Sequence, residues 1–170
     1  MNVRQLFFAL LALLAGCGQI PDGVEPVTGF DAERYLGTWY EVARLENSFE
    51  RGLTKITATY GRREGGGLEV VNRGFDAAKG EWREAHGRAK FSGPTDVAML
   101  KVSFFGPFYG GYNVVDLDPS YSHALVVGAN RSYLWILSRQ ATPPKEVVER
   151  LVARAAQLGF DTSNLVYVEH

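Results

Sequence analysis

The sequence has a single cysteine, Cys17, so no disulfide can form within the chain. It also lacks an excess of either charge, with 18 Lys and Arg against 19 Asp and Glu and a formal net charge of -1. A nearly neutral chain has no general field that attracts a phosphate backbone, which argues against nucleic acid as a partner. The three histidines, His86, His123 and His170, lie far apart and in no spacing typical of a metal site. The sequence therefore predicts neither a metal centre nor a cofactor.

The chain also lacks an apolar run long enough to span a bilayer stably as a helix. Its most apolar stretch, residues 6–14, lies within residues 1–16, which have the positive start, apolar middle and small-residue end of a secretory signal. The segment Leu14-Ala15-Gly16-Cys17 resembles the bacterial lipoprotein box, in which the cysteine is acylated and becomes the mature N-terminus. We therefore expect residues 1–16 to be a signal peptide and Cys17 to be lipidated. An ordinary cleaved signal beside an incidental cysteine is the alternative.

Residues 18–29 contain two prolines and three glycines and show no hydrophobic period. This composition is typical of a linker, which at about 3.3 Å per residue would reach at most roughly 40 Å. We therefore predict that residues 17–30 form the lipidated cysteine and a flexible tether, followed by one folded domain over residues 31–170.

The folded domain is predicted to be all-β, because aromatic residues make up 12% of the chain and 19 glycines supply its turns. Apolar and β-branched runs separated by polar or glycine-rich breaks predict eight antiparallel strands. They are placed at 38–45, 53–62, 68–75, 82–91, 97–104, 111–117, 123–129 and 133–139. Residues 143–158 instead have helical periodicity, with Thr142 and Pro143 as the start and Gly159 as the stop. Because 124–127 and 134–137 are apolar on both faces, we expect this helix to pack outside the sheet against them, and 165–168 to add a short strand.

Two segments resemble sequence signatures of the lipocalin family. Residues 34–41, with Gly37 and Trp39, are similar to the first signature, and residues 133–139 are similar to the third. The middle signature keeps only Asp118. The segments 49–52 and 101–113 resemble the bacterial outer-membrane lipocalins, and the likeness extends from Asp31 to the end of the chain. The resemblance implies an eight-stranded up-and-down barrel with one C-terminal helix outside it.

The resemblance also implies a barrel floor in which the guanidinium of Arg139 covers the ring of Trp39, a cation–π contact worth about 1 to 2 kcal/mol when shielded from water. From the residues alone, a buried core tryptophan and an unrelated solvated arginine would be an equal alternative. Strand alternation then places Leu137, Trp135 and Tyr133 on the face of Arg139, rising toward the open end. On this basis, Trp135 is predicted to be the main ligand contact.

Tyr109 and Tyr112 are further candidates, because each could offer a hydroxyl to a polar headgroup, although aromatic rings near glycine often only pack. Lys101 is a charged residue in a largely apolar strand. It either faces solvent outside the barrel or points inward to meet a carboxylate or phosphate.

The resemblance implies that the protein binds, stores or transports a fatty acid or lysophospholipid in the barrel cavity, anchored by its lipid to the cell outer membrane. Its expected partners are this ligand and the membrane, and a homodimer is left open. One alternative is an enzyme acting on a small hydrophobic substrate, for which Glu41 and Glu46 offer a carboxylate pair; His123 is expected at the rim, and no catalytic residue is predicted. The other is a structural lipoprotein with a filled barrel, whereas a binding barrel should enclose on the order of several hundred Å³.

Overall fold

The computed structural model describes residues 19–170, so the predicted signal peptide and Cys17 lie outside the described residues. The elements in chain order are α1 (Ala32–Tyr35), β1 (Gly37–Leu45), β2 (Leu53–Arg62), β3 (Leu68–Asp76), β4 (Glu81–Phe91), β5 (Met99–Phe105), β6 (Phe108–Leu117), β7 (His123–Val127), β8 (Leu134–Ser138), α2 (Lys145–Gln157), a 3₁₀ helix (Thr162–Asn164) and β9 (Leu165–Tyr167). The eight predicted strands are confirmed to within three residues at each end. Among the described residues, no helix combines the length and the apolarity needed to cross a membrane.

The sheet closes on itself as an antiparallel barrel of β1 to β8. Consecutive strands from β2 to β8 pair in order, and β1 joins the two ends by pairing with β2 through Gly37↔Tyr60 and with β8 through Tyr40↔Ser138. A bulge in β1 between Glu41 and Ala43 bends the strand where its partner changes from β2 to β8. The second half of β1 also pairs with β9. The barrel predicted from the sequence is confirmed.

Two apolar cores lie on the two sides of the barrel wall. The interior core contains Trp39, Leu100 and Val126, whereas the outer core joins Leu125 and Ile136 of the late strands to the inner face of α2. The prediction that the helix covers these strands from outside is therefore confirmed. The predicted start of α2 at residues 142–143 is wrong by two residues, because Pro144 disfavours a helical backbone at the residue before it and stands outside the helix as its N-cap.

The predicted flexible tether is wrong for residues 19–30, which pack against the barrel. The amide of Val27 donates to Val114 at 2.9 Å, and its carbonyl accepts from the amide of Ala98 at 2.9 Å. Val24 is buried in the outer core and Phe30 in the interior core. The apolar side chains between the prolines and glycines thus bury against strands far along the chain, which a composition typical of linkers does not reveal.

The two ends of the barrel differ. At the end where β1 begins, here called the closed end, residues 27–36 pack across the interior core. The opposite end, here called the open end, carries the β1–β2, β3–β4, β5–β6 and β7–β8 connections. A ligand can therefore reach the interior only from the open end without displacing residues 27–36.

Candidate functional site

The closed end is built around Trp39, which is fully buried. Its indole nitrogen donates to the carbonyl of Tyr35 at 2.9 Å, and the Tyr35 and Trp39 ring centroids are 4.7 Å apart. The short helix α1 positions Tyr35, and its N-terminus is capped by Asp31, whose carboxylate accepts from the amide of Glu33. The guanidinium carbon of Arg139 lies 4.0 Å from the Trp39 ring centroid. The structure thus brings together the two residues predicted to form the floor.

Arg139 also connects two separate segments of the chain through its hydrogen bonds. Its side chain donates to the carbonyls of Arg34 at 3.0 Å, Leu36 at 2.8 Å, Thr38 at 3.0 Å and Tyr121 at 3.2 Å. The planar fork of the guanidinium allows this distribution, which a lysine ammonium cannot reproduce. Arg139 therefore ties residues 34–38 to the β6–β7 connection while it covers Trp39.

Gly37 is required by two features of this arrangement. Its φ is +94°, a conformation that residues with a side chain rarely adopt. In addition, a Cβ atom at this position would lie 3.3 Å from Nη1 of Arg139. The glycine of the Gly-x-Trp pattern thus permits both the turn into β1 and the approach of the guanidinium.

Asp118, the surviving residue of the middle signature, organises the β6–β7 connection. Its carboxylate accepts hydrogen bonds from the amides of Ser120 at 3.1 Å, Ser122 at 2.8 Å and His123 at 2.5 Å. Desolvation raises the pKa of Asp118, but the hydrogen bonds from Ser120, His123 and Ser122 together hold it below its usual range. His123 lies at this closed-end turn, with its Nδ1 atom 3.7 Å from Asp118.

Three phenols form a buried network above the floor. The hydroxyl of Tyr112 is 2.8 Å from that of Tyr35 and 2.6 Å from that of Tyr60. Burial raises the pKa of all three, so they stay protonated and can each donate one hydrogen bond. Tyr112 faces the interior as predicted, but its hydroxyl is engaged by two other phenols.

A charged cluster lies inside the barrel toward the open end. Arg44, which is 1% exposed, donates to the carboxylate of Glu41 at 3.2 Å and to the carbonyl of Glu50 at 3.1 Å. Asn47 and the indole of Trp135 donate to the Glu50 carboxylate at 2.5 and 3.0 Å. Burial raises the pKa of Glu41, and the nearby Glu50 raises it further, against the lowering effect of Arg44.

This cluster differs from the carboxylate pair considered from the sequence. Glu46 is 3.5 Å from Arg44, but its side chain is 40% exposed, and the buried carboxylate beside Glu41 belongs to Glu50. Sequence reasoning gave no role to Arg44 or Glu50. The available signals were an arginine between the apolar residues Ala43 and Leu45, and the position of Glu50 in the segment 49–52 that carries the resemblance.

A row of stacked aromatic rings extends from the surface to Trp135. The rings of Phe49 and Tyr133 are 6.3 Å apart, and those of Tyr133 and Trp135 are 6.1 Å apart, both nearly parallel. Phe49 is 56% exposed and Tyr133 36%, whereas Trp135 is half-buried and packs against the interior core. Leu137 is buried below them. The structure therefore places Tyr133, Trp135 and Leu137 along one face from the open end inward, as predicted.

The prediction that Tyr109 lines the pocket is wrong, because it lies on the outer wall of the barrel. Its hydroxyl accepts a hydrogen bond from Nε of Arg88 at 2.9 Å, and the ammonium groups of Lys90 and Lys101 are 5.7 and 5.5 Å from its ring centroid. These cations alternate along β4 and β5 with the inward-facing Ala89 and Leu100. Of the two alternatives for Lys101, the structure supports the outward one.

Several apolar side chains that pack against the interior core are only half-buried, among them Ala58, Phe91, Val102, Phe104 and Trp135. Two pockets of about 570 and 270 Å³ open elsewhere, one around Asp116 and Arg150 and the other around Tyr40 and Trp82. Neither is lined by a residue of the predicted ligand pocket.

Comparison with known proteins gives one consistent result. A model of the lipocalin-like domain matches residues 30–170. The chain is 52% identical over 161 residues to the outer membrane lipoprotein Blc of Escherichia coli K12, with 95% of this chain and 91% of that protein covered. It is 50% identical over 170 residues to the outer membrane lipoprotein Blc of Vibrio cholerae, with 98% and 99% covered. Among solved structures, insecticyanin from the tobacco hornworm Manduca sexta matches with a TM-score of 0.69 at 22% identity, covering 90% of this chain and 87% of that one, which shows the fold alone. The chain belongs to the lipocalin-like family.

Proposed function

We propose that the protein binds a single-chain amphipathic lipid, a fatty acid or a lysophospholipid, inside its barrel. The observation that carries this proposal is the apolar surface of side chains that pack against the interior core yet stay half-buried, among them Trp135, Val102 and Phe104. An acyl chain that binds along this surface buries apolar area of both the ligand and the protein. Burial of apolar surface stabilises the complex by about 25 cal/mol per Å². The ligand headgroup then stays near the open end, beside the cluster of Arg44 and Glu50.

The protein acts at the outer membrane as a binding protein and not as an enzyme. Its relatives in Escherichia coli and Vibrio cholerae are named outer membrane lipoproteins, and the match to the second of them covers 98% of this chain. The segment Leu14-Ala15-Gly16-Cys17 supports the same attachment through an acylated Cys17. Homodimer formation stays a prediction, which sedimentation velocity would test.

Replacing Trp135 with alanine should weaken binding of palmitate or lysophosphatidylethanolamine by about tenfold or more, because a half-buried aromatic at a binding surface is typical of an energetic hot spot. Ligand should quench the tryptophan emission of the unaltered protein and raise its melting temperature. The matched control is Trp82→Ala, since Trp82 lies outside the barrel under the guanidinium of Arg73 at 4.1 Å. Affinity is measured by isothermal titration calorimetry, because the loss of a tryptophan fluorophore in either variant does not affect that measurement.

Two results would count against the lipid ligand. Equal losses of affinity in Trp135→Ala and Trp82→Ala would remove the binding site from the barrel interior. No change in emission or melting temperature with either lipid would instead favour the structural lipoprotein with a filled barrel. That second candidate is supported by the position of the two pockets, both of which open outside the predicted site.

Cys17→Ala should release the protein from the membrane or leave it unprocessed, because acyl chains on Cys17 are the proposed anchor. The check is fractionation of cells, with outer-membrane, inner-membrane and soluble fractions probed for the protein. A serine substitution at an outward position of the folded domain, such as Glu64→Ser, is the control and should leave the distribution unchanged. Undiminished outer-membrane attachment of Cys17→Ala would contradict the proposal.

A further inference from the structure

Three cations on the outer wall of β4 and β5 lack acidic partners. Arg88, Lys90 and Lys101 surround Tyr109, and none of them pairs with a carboxylate among residues 19–170. Lys90 and Lys101 are direct cross-strand partners, an arrangement that is destabilising for like charges. These four residues, here called the basic wall, therefore present an uncompensated positive charge to an external anion.

The hairpin tip between β5 and β6 is apolar and largely exposed. Phe105 is 81% exposed and its cross-strand partner Phe108 is 78% exposed. The tip adjoins the basic wall, because a Cβ atom on Gly106 would lie 2.6 Å from Nη2 of Arg88. Two large aromatic side chains left in water beside a cluster of cations mark an interaction surface.

The beginning of the described chain lies on the same side of the barrel. The carbonyl of Gln19 accepts a hydrogen bond from the side-chain amide of Asn113 at 2.7 Å and would lie 2.7 Å from a Cβ atom on Gly111. Gly111 is the cross-strand partner of Lys101, so Gln19 rests on β6 beside the basic wall. Cys17 is two residues earlier, and two residues span at most about 7 Å.

We propose that the basic wall and the Phe105–Phe108 hairpin tip form a docking face for the phospholipid surface of the membrane that holds the anchor. Phosphates of anionic lipids meet Arg88, Lys90 and Lys101, while the two phenylalanines enter the headgroup region. The orientation rests on the proposed acylation of Cys17, whereas the exposed rings and unpaired cations are independent of it. The open end then lies beside the bilayer, and a single-chain lipid passes between membrane and barrel over a short path.

The experiment uses the full acylated protein reconstituted in phosphatidylethanolamine vesicles with and without phosphatidylglycerol. An environment-sensitive dye is attached to Phe108→Cys, and for the control to Glu64→Cys in the β2–β3 hairpin at the closed end. The acylated Cys17 is the only native cysteine, so labelling is specific. Dye at position 108 should shift to shorter wavelength and be quenched by spin-labelled lipid, and dye at position 64 should not.

Charge reversal then tests the role of the basic wall. Lys90→Glu with Lys101→Glu should reduce the docked fraction by about tenfold or more in vesicles that contain phosphatidylglycerol, because each basic residue near an anionic surface adds to the attraction. The control pair Arg63→Glu with Arg154→Glu makes the same change in net charge at the closed end and on α2, and should leave quenching at position 108 unchanged.

The outcomes separate docking from anchoring. Equal quenching at positions 108 and 64 in vesicle-bound protein would overturn the docking face and leave the anchor intact. If the acylated protein does not associate with either kind of vesicle, both the proposed anchor at Cys17 and the docking face are overturned. A dye at position 108 that is already buried without vesicles, in a particle of twice the mass, would assign the face to a second copy of the chain.

Discussion

Replacement of Arg139 with alanine is expected to lower the free energy of unfolding by about 2 to 4 kcal/mol. The change removes the contact with Trp39 at 4.0 Å, for which a shielded cation–π pair contributes about 1 to 2 kcal/mol. It also removes the donors to the carbonyls of Arg34, Leu36, Thr38 and Tyr121, and hydrogen bonds to charged groups contribute about 1.5 to 3 kcal/mol each when buried. The net loss is far smaller than the sum of these contributions, because the site is partly exposed and water can donate to the same carbonyls in the variant. Urea denaturation followed by circular dichroism measures the difference.

Two control variants identify the source of the effect. Arg139→Lys keeps the charge but loses the planar fork, so most of the loss should remain. Arg34→Ala removes a guanidinium that lies 4.1 Å from the Tyr121 ring and donates to the carbonyl of Pro119, so it should cost about 1 kcal/mol or less. If Arg139→Ala were no less stable than Arg34→Ala, the closed end would not depend on this arginine. In Arg139→Ala, ligand affinity should fall only to the extent that the loss of stability lowers the folded fraction.

Replacement of Arg44 with methionine is expected to cost about 3 to 5 kcal/mol, the usual penalty for removing one partner of a buried ion pair. Glu41 and Glu50 would then lie buried together without their cation. The pKa of Glu41 is already raised in the folded protein, so the folded state binds more protons than the unfolded state above the ordinary carboxyl pKa of about 4.3. Stability of Arg44→Met should therefore fall further as the pH rises from about 5 to about 8, which urea denaturation at a series of pH values measures.

The control for this prediction is the double variant Arg44→Met with Glu41→Leu. It removes both members of the ion pair, and replacing a buried pair by apolar residues is often neutral. The double variant should thus recover most of the lost stability and show a weaker dependence on pH. A single variant whose stability does not depend on pH, or a double variant less stable than the single one, would show that Arg44 does not balance Glu41.

The barrel was predictable because its signal is local. Alternation within each strand and glycine-rich breaks between strands identify β2 over residues 53–62 without reference to any partner. The approach of Arg139 to Trp39 was expected only through the resemblance, since nothing local joins two residues a hundred positions apart. Tyr109 could have been placed correctly by a stricter use of alternation, because Tyr109 and Tyr112 are three residues apart and face opposite sides of a strand.

The charged cluster and the N-terminal packing were not predictable from local pattern. Glu50 reaches Trp135 only because the β1–β2 connection folds over the open end, a contact between residues 85 positions apart. Residues 19–30 carry the composition of a linker, and their amides find partners near residues 98 and 114. In both cases the stabilising contacts are made with residues that come close only when the barrel is closed.

Because the segment before Phe30 packs against the barrel, the part of the chain that folds cooperatively begins before residue 30. The family match starts at residue 30, but Val24 fills the outer core and Val27 bridges the backbones of Ala98 and Val114. A recombinant chain cut at the family boundary would leave the amide of Ala98 and the carbonyl of Val114 without these partners and open the outer core beside α2. The shortest chain that retains every contact described for the N-terminal segment begins at Gln19, eleven residues before the region that sequence comparison identifies as the domain.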